Sequence, residues 1–203
     1  MSSPDLHDAI DEVPWSRLFH AYGPAVDTPG HLHNLAAGRQ LPDAAWHFES
    51  AIVHQCTVWS ASPDGFRLLV RVMRERELPT DIVDRLLDTL IEAADNFEHQ
   101  IESPTTEEVE AALQAWEQEL AAAHYPGKQV TNFRGQKSHK DADQLAYEAF
   151  MHRRPQAWDL IRYAVTGVQR LRPDVLELLD ALDAQGAASP ELVNEAREAW
   201  GAG

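Results

Sequence analysis

Ile82-Val83-Asp84-Arg85-Leu86-Leu87-Asp88-Thr89-Leu90-Ile91 places its apolar residues at i, i+1, i+4, i+5, i+8 and i+9. That spacing returns to one side of a helix of about 3.6 residues per turn and does not fit a strand, whose side chains alternate with period two. The same pattern extends outward on both sides. Upstream, Leu32 and Leu35 precede a stop at Gly38, residues from about 42 to 55 carry Trp46, Ile52 and Val53, and Phe66, Leu69, Val70 and Met73 follow. Downstream, Val109, Leu113, Trp116 and Leu120 form one face. After them come Leu145, Ala149 and Phe150, then Trp158, Ile161, Val165 and Val168, then Val175, Leu176, Leu179 and Leu182, and a short helix near 190–200. No stretch alternates cleanly, and no Asn-Gly or Asp-Gly turn joins two β-rich runs, so strands are not expected.

Helix starts are marked by Ser or Thr followed directly by Pro, at Thr28-Pro29, Ser62-Pro63, Ser103-Pro104 and Ser189-Pro190. The hydroxyl is expected to cap a free backbone N–H, and Pro at the first helical position gives up only an N–H that had no partner. Thr28 to Ser62 is 34 residues and Ser62 to Ser103 is 41, each enclosing about two helices. Units of that size built from helix pairs belong to the helical-repeat classes. Tetratricopeptide and ankyrin consensus residues are missing, which leaves the weakly patterned HEAT type. The expected fold is all-α, an α-solenoid of HEAT-like helix pairs.

Two stretches carry a resemblance: Trp15-Ser-Arg-Leu-Phe-His-Ala-Tyr-Gly-Pro-Ala-Val-Asp-Thr-Pro29 and Ile52-Val-His-Gln-Cys-Thr-Val-Trp-Ser-Ala-Ser62. They resemble a bacterial group of HEAT-like helical-repeat proteins whose first repeat carries W-x-x-L-x-H-A-Y-G-x-A-x-D-x-P and then I-x-H-Q-G-T-x-x-x-A-T. The resemblance covers roughly residues 13 to 75 and implies a scaffold; it implies no reaction. Cys56 stands where that pattern has Gly at a tight turn.

A chain of 203 residues, 44% of them hydrophobic, can bury a substantial core as one domain or two small ones. Cys56 is the single cysteine, so no intramolecular disulfide can form. The acidic start has no signal-peptide pattern and no apolar run approaches the length of a membrane span, so the chain reads as soluble and cytoplasmic. Residues 125–140 break the helical periodicity and hold all three lysines, Lys128, Lys137 and Lys140. They read as a loop or linker between HEAT-like repeats over 1–124 and C-terminal helices over 141–203 that continue the solenoid.

Charge is unevenly spread: of a net −16, residues 75–120 carry 14 Asp and Glu against Arg76 and Arg85. Such a surface repels phosphate backbones and anionic lipid, which excludes nucleic-acid and membrane partners, and it attracts basic proteins. The plain alternative is an acidic helical face that serves solubility. Asp84, Asp88, Asp95 and Glu102 follow a spacing that could share one exposed face, and they are the candidate partner-binding acids. Trp59, off any apolar stripe, is the candidate exposed anchor, whereas Trp46, Trp116 and Trp158 read as core.

Catalytic and cofactor motifs are not found. No H-E-x-x-H, cysteine-rich zinc pattern or G-x-S-x-G occurs, so no metal, cofactor or catalytic residue is assigned. The glycines and lysine of 127–137 lack the spacing and the preceding strand of a phosphate loop. His31 and His33 lie on different faces of a helix and His47 and His54 on the same one, a pair without the third ligand that a metal requires. His20 and His54 are expected to satisfy carbonyls at helix ends, and Cys56 to be a small buried hydrophobe. The reading is a non-catalytic, acidic protein-binding module, concretely an immunity or inhibitor protein that occludes a basic toxin or enzyme. The alternative is an enzyme or ligand-binding protein with a histidine and carboxylate site assembled from separate helices.

Overall fold

The computed structural model describes residues 5–98, 101–124 and 142–201. Ten α-helices account for most of them: α1 (Leu6–Asp11), α2 (Thr28–Ala36), α3 (Leu41–His47), α4 (Ser62–Glu75), α5 (Thr80–Ala94), α6 (Thr106–Ala123), α7 (Ala142–Arg153), α8 (Gln156–Gln169), α9 (Arg172–Gln185) and α10 (Pro190–Gly201). The all-α expectation is met. The 82–91 stripe lies on α5, where Ile82, Val83, Leu86, Leu87 and Leu90 are buried. No described helix is long and apolar enough to cross a membrane. The proposed loop at 125–140, with its lysines, lies outside the described residues.

One apolar core runs from Leu6 on α1 to Trp200 on α10. Burying Leu86, Leu87 and Leu90 against that core contributes about 1.5–3 kcal/mol per side chain before entropy is counted. The C-terminal helix returns to α5: Trp200 Nε1–H donates to the Leu90 carbonyl at 2.9 Å, so its one polar atom is satisfied while the ring is fully buried. α10 also packs on α9, and α4 lies against α8 and α9. A second, aromatic cluster joins Phe19, Trp116, Tyr147 and Phe150 across the first hairpin, α6 and α7.

Two small hairpins correct the expectation of no strands. β1 (Phe19–His20) pairs with β2 (Gly23–Pro24), and β3 (Val53–His54) pairs with β4 (Thr57–Val58). Strands of two residues are too short for alternation to register in the sequence. The second hairpin turns through Gln55 and Cys56, at φ 52° and 57°. Both are left-handed positions of the kind that a two-residue hairpin turn requires and that Gly fills most easily. Cys56 is therefore exposed at a turn tip, and the expectation that it is buried is corrected.

Three of the four Ser/Thr-Pro marks, at Thr28, Ser62 and Ser189, find helix starts, but the hydroxyls do other work. Ser62 Oγ donates to the Ile52 carbonyl at 2.6 Å and accepts from the Trp59 N–H at 2.8 Å, tying the second hairpin to the first turn of α4. Ser103 caps nothing: α6 begins at Thr106, with Thr105 and Glu108 exchanging side-chain and backbone bonds in a capping box. The helix expected over 42–55 is α3 followed by a π-type turn, Phe48–Ile52, after which the chain enters β3. Trp116 is core as expected. Trp46 and Trp158, at 59% and 60% exposure, are not, because Ala44, Ala45 and Phe48 in one case, and Ala157 and Leu160 in the other, take the inward side.

Candidate functional site

α5 turns its apolar stripe inward, so its remaining positions form a solvent stripe of Asp81, Asp84, Arg85, Asp88, Glu92 and Asp95. Arg85 is the single cation on that stripe. Its Nε and Nη2 each donate to the Glu49 carboxylate at 2.8 Å, a two-pronged pair that cancels its charge locally. Asp88 lies at the centre. Partial shielding of its carboxyl, together with the charges of Glu195 on α10, Asp84 on α5 and Glu49 after α3, raises its pKa above the ordinary aspartate value. Carboxylates from three separate elements therefore converge on one surface.

The candidate acids separate into three situations. Asp88 and Asp95 are exposed on the stripe. Asp84 is half-buried and already committed, since its carboxylate accepts the Ser189 backbone N–H at 2.8 Å and hydroxyl at 2.5 Å. Glu102 does not share the face: the helix stops at Ala94, where the Asn96 side chain donates to the Ala93 carbonyl at 3.1 Å, and the chain leaves through a 3-10 turn. Trp59 is half-buried rather than an exposed anchor. Its ring packs on Phe19 and Tyr147 at centroid distances of 6.5 and 5.7 Å.

At the other end of the stripe, Glu92 accepts the Cys56 N–H at 2.8 Å. Partial shielding, with Asp95 and Glu92 close by, raises the Cys56 thiol pKa, so it stays protonated and is a poor nucleophile.

A second group of polar residues assembles beneath the first hairpin. The Tyr22 backbone N–H donates to His20 Nδ1 at 3.1 Å, which leaves the ring proton on Nε2, and that N–H donates to Asp27 Oδ1 at 2.9 Å. Asp27 Oδ2 lies 3.9 Å from His47 Nδ1, and His47 Nε2 bonds the Thr28 hydroxyl at 3.0 Å. His31 stacks on His47 with centroids 4.2 Å apart. Burial pushes the His47 pKa down to about 3, with His31 and His20 adding to this and Asp27 opposing it. For Asp27, burial acts upward, but the hydrogen bond and charge of His20, with His47, outweigh it and hold the carboxyl at about 2.

Both histidine expectations at helix ends are corrected. His20 bonds within a hairpin, and His54 sits in β3, 3.5 Å from the Tyr22 hydroxyl, so it does not share a face with His47. The separation of His31 from His33 holds, for His33 bonds His7 and Asp11 instead. Thr28, His47 and Asp27 follow the order of a nucleophile, base and acid. However, Thr28 is fully buried, and at 3.9 Å Asp27 does not hold His47 through a hydrogen bond.

Glu49 and Glu195 on the acidic face, and Asp27 beside the histidines, were not singled out from the sequence. The first two lie outside the 75–120 segment and reach Asp88 only through helix packing. Asp27 does stand in the same quoted stretch as His20, seven residues on, which is the one signal that could have paired them. No family model matches this chain, and comparison with curated proteins and with solved structures found no match.

Proposed function

We propose that this chain is a non-catalytic protein-binding module that receives a basic protein on the solvent stripe of α5, between Glu49 and Glu195. The observation that supports this is the crowding around Asp88, where carboxylates from three elements face one another and the cation of the α5 stripe, Arg85, is already paired with Glu49. Such a surface costs the free protein some stability; a cationic partner relieves that repulsion and is steered towards it. Trp46, exposed three residues before Glu49, offers an aromatic face of the kind that anchors interfaces and receives Arg or Lys.

In its more concrete form the module is a cytoplasmic immunity or inhibitor protein that occludes a basic toxin or enzyme, carried on HEAT-like helix pairs. The resemblance of residues 15–29 and 52–62 supports the scaffold, as do the contacts within the neighbouring pairs α2–α3, α6–α7 and α9–α10. The packing of α10 on α5 adds a closure that a linear stack does not need.

The test is co-purification of the partner from the native host, followed by association kinetics against salt. Asp81→Lys, Asp88→Lys and Glu195→Lys together should slow association at least about tenfold at low salt, and raising the salt should remove the difference. An association rate indifferent to all three reversals at low salt would leave the acidity with solubility as its whole role.

A further inference from the structure

We propose that His20, Asp27 and His47 form a binding site for one divalent transition metal ion of the zinc class. Among the described residues, this is the one place where three such side chains bring ligand atoms within 4.8 Å of one another. Two imidazoles and a carboxylate make a donor set suited to zinc, cobalt or ferrous iron. Bonds of about 2.0–2.2 Å around a tetrahedral ion set its ligand atoms roughly 3.3–3.5 Å apart. The separations of 2.9 Å from His20 Nε2 to Asp27 Oδ1 and 3.9 Å from Asp27 Oδ2 to His47 Nδ1 bracket that value. The two histidines approach different oxygens of Asp27, and all the ligand atoms lie within 4.8 Å of one another, so binding one ion calls for a movement of these side chains.

The surroundings of His47 suit a ligand. Its Nε2 is held by the buried Thr28 hydroxyl, the second-nitrogen partner that metal-binding histidines usually have, and this turns Nδ1 towards Asp27. The Nδ1 so turned faces the Asp27 carboxylate at 3.9 Å. The Asp27 side chain is 54% exposed, which gives an ion access and leaves room for water as a further ligand.

His20 must change its proton. In the metal-free protein the Tyr22 N–H points at Nδ1, so Nε2 carries the hydrogen. Binding at Nε2 moves that proton to Nδ1, and the Tyr22 N–H then loses its acceptor and turns to water. Tyr22 stands at an exposed hairpin tip, so this costs the Tyr22 N–H bond to the ring and the Nε2–H bond to Asp27, against three metal–ligand bonds. It also provides a signature, because the Tyr22 amide resonance and the His20 tautomer should both change when metal binds.

The experiment uses the full chain stripped with chelator and titrated at pH 7 with Zn2+ by calorimetry and with Co2+ by visible absorption and NMR. One equivalent should bind, the Co2+ spectrum should be that of a low-coordinate site, and Zn2+ should shift the Tyr22 amide. Asp27→Asn and His20→Gln should each weaken Zn2+ by more than about 100-fold, beyond the 10–100-fold usual for an outer partner. His33→Gln, which disturbs the separate His7–His33–Asp11 group, and Asp88→Asn, on the acidic stripe, should leave the affinity unchanged. Asp27 is largely exposed, so Asp27→Asn is expected to fold, and circular dichroism checks this. No stoichiometric binding, binding indifferent to Asp27→Asn and His20→Gln, or binding abolished by His33→Gln or Asp88→Asn instead, each overturns the proposal. None of these outcomes depends on the acidic face binding a protein.

Discussion

The carboxylate of Asp84 holds Ser189 from 105 residues away, accepting its backbone N–H at 2.8 Å and its hydroxyl at 2.5 Å. Ser189 precedes the first residue of α10, so an acid on α5 anchors the start of the C-terminal helix, and the Trp200 bond to Leu90 holds that helix near its other end. A residue that reads as a surface charge is thus a structural clasp.

Replacing Asp84 by Ala should destabilise the protein by about 1–2 kcal/mol, the usual size for a lost cap or charged hydrogen bond. Urea denaturation measures it. An unchanged midpoint would show that water replaces the carboxylate at no cost, and a destabilised Asp84→Ala would make this position unsuitable for binding tests.

Gly167 sits where α8 meets α4, and a Cβ there would lie 2.7 Å from Pro63 Cγ. Gly167→Ala gains about 1 kcal/mol of helix propensity but overpacks a rigid proline ring, which costs about 1–3 kcal/mol. The expected outcome is a net loss on the order of 1 kcal/mol. Gly30→Ala, on α2 with nothing near its Cβ, is the control and should be neutral or stabilising.

Cys56→Gly should stabilise. The left-handed conformation at φ 57° costs a side-chain residue about 1–2 kcal/mol, and the extra chain entropy of Gly returns about 0.5–1 of that. A gain of roughly 0.5–1 kcal/mol is expected in thermal melts under reducing conditions. A loss would mean that the contacts of Cys56 with Glu92 and Asp95 outweigh the backbone term.

His47 sets an acid limit. Its folded pKa of about 3 lies below the ordinary histidine value of 6.5, so between these values the unfolded chain binds the proton more readily, and stability falls as pH drops through that window. The slope approaches about 1.4 kcal/mol per pH unit where the unfolded ring is charged and the folded one is not. Asp27, depressed to about 2, adds a further loss below the ordinary aspartate value of 3.8. The groups facing His47 are His20, His31 and Asp27. His47→Gln should flatten the decline between pH 6.5 and 4 in chelator-containing buffer; an unaltered slope would assign it to other groups.

Asp88 acts in the opposite direction. Its folded pKa is raised, so the folded state takes up its proton more readily than the unfolded chain, and its repulsion is relieved as pH falls through the folded pKa. Asp88→Asn should therefore stabilise at pH 7, by no more than about 0.5 kcal/mol because the site is exposed and screened. The gain should shrink in high salt. Destabilisation would show that Asp88 has a favourable partner.

The sequence by itself determined the all-α class and the inward face of α5, because 3.6-residue periodicity is local: Ile82, Leu86 and Leu90 declare the buried side of α5 without reference to any other helix. It also determined the acidity of the α5 stripe, since whatever does not face the core faces water. The tertiary structure alone decided what each polar group meets. Ser62 and Thr28 look like caps in the chain but bond a hairpin and His47, Asp84 looks free but clasps Ser189, and Trp46 and Trp158 lose the inward side to smaller neighbours. His20 and His47 are 27 residues apart, and only the folded arrangement, with α2 packed on α3, brings them to one carboxylate. Local pattern sets which side of a helix is buried; partners across the fold depend on how helices pack, and one residue's spacing carries no record of that.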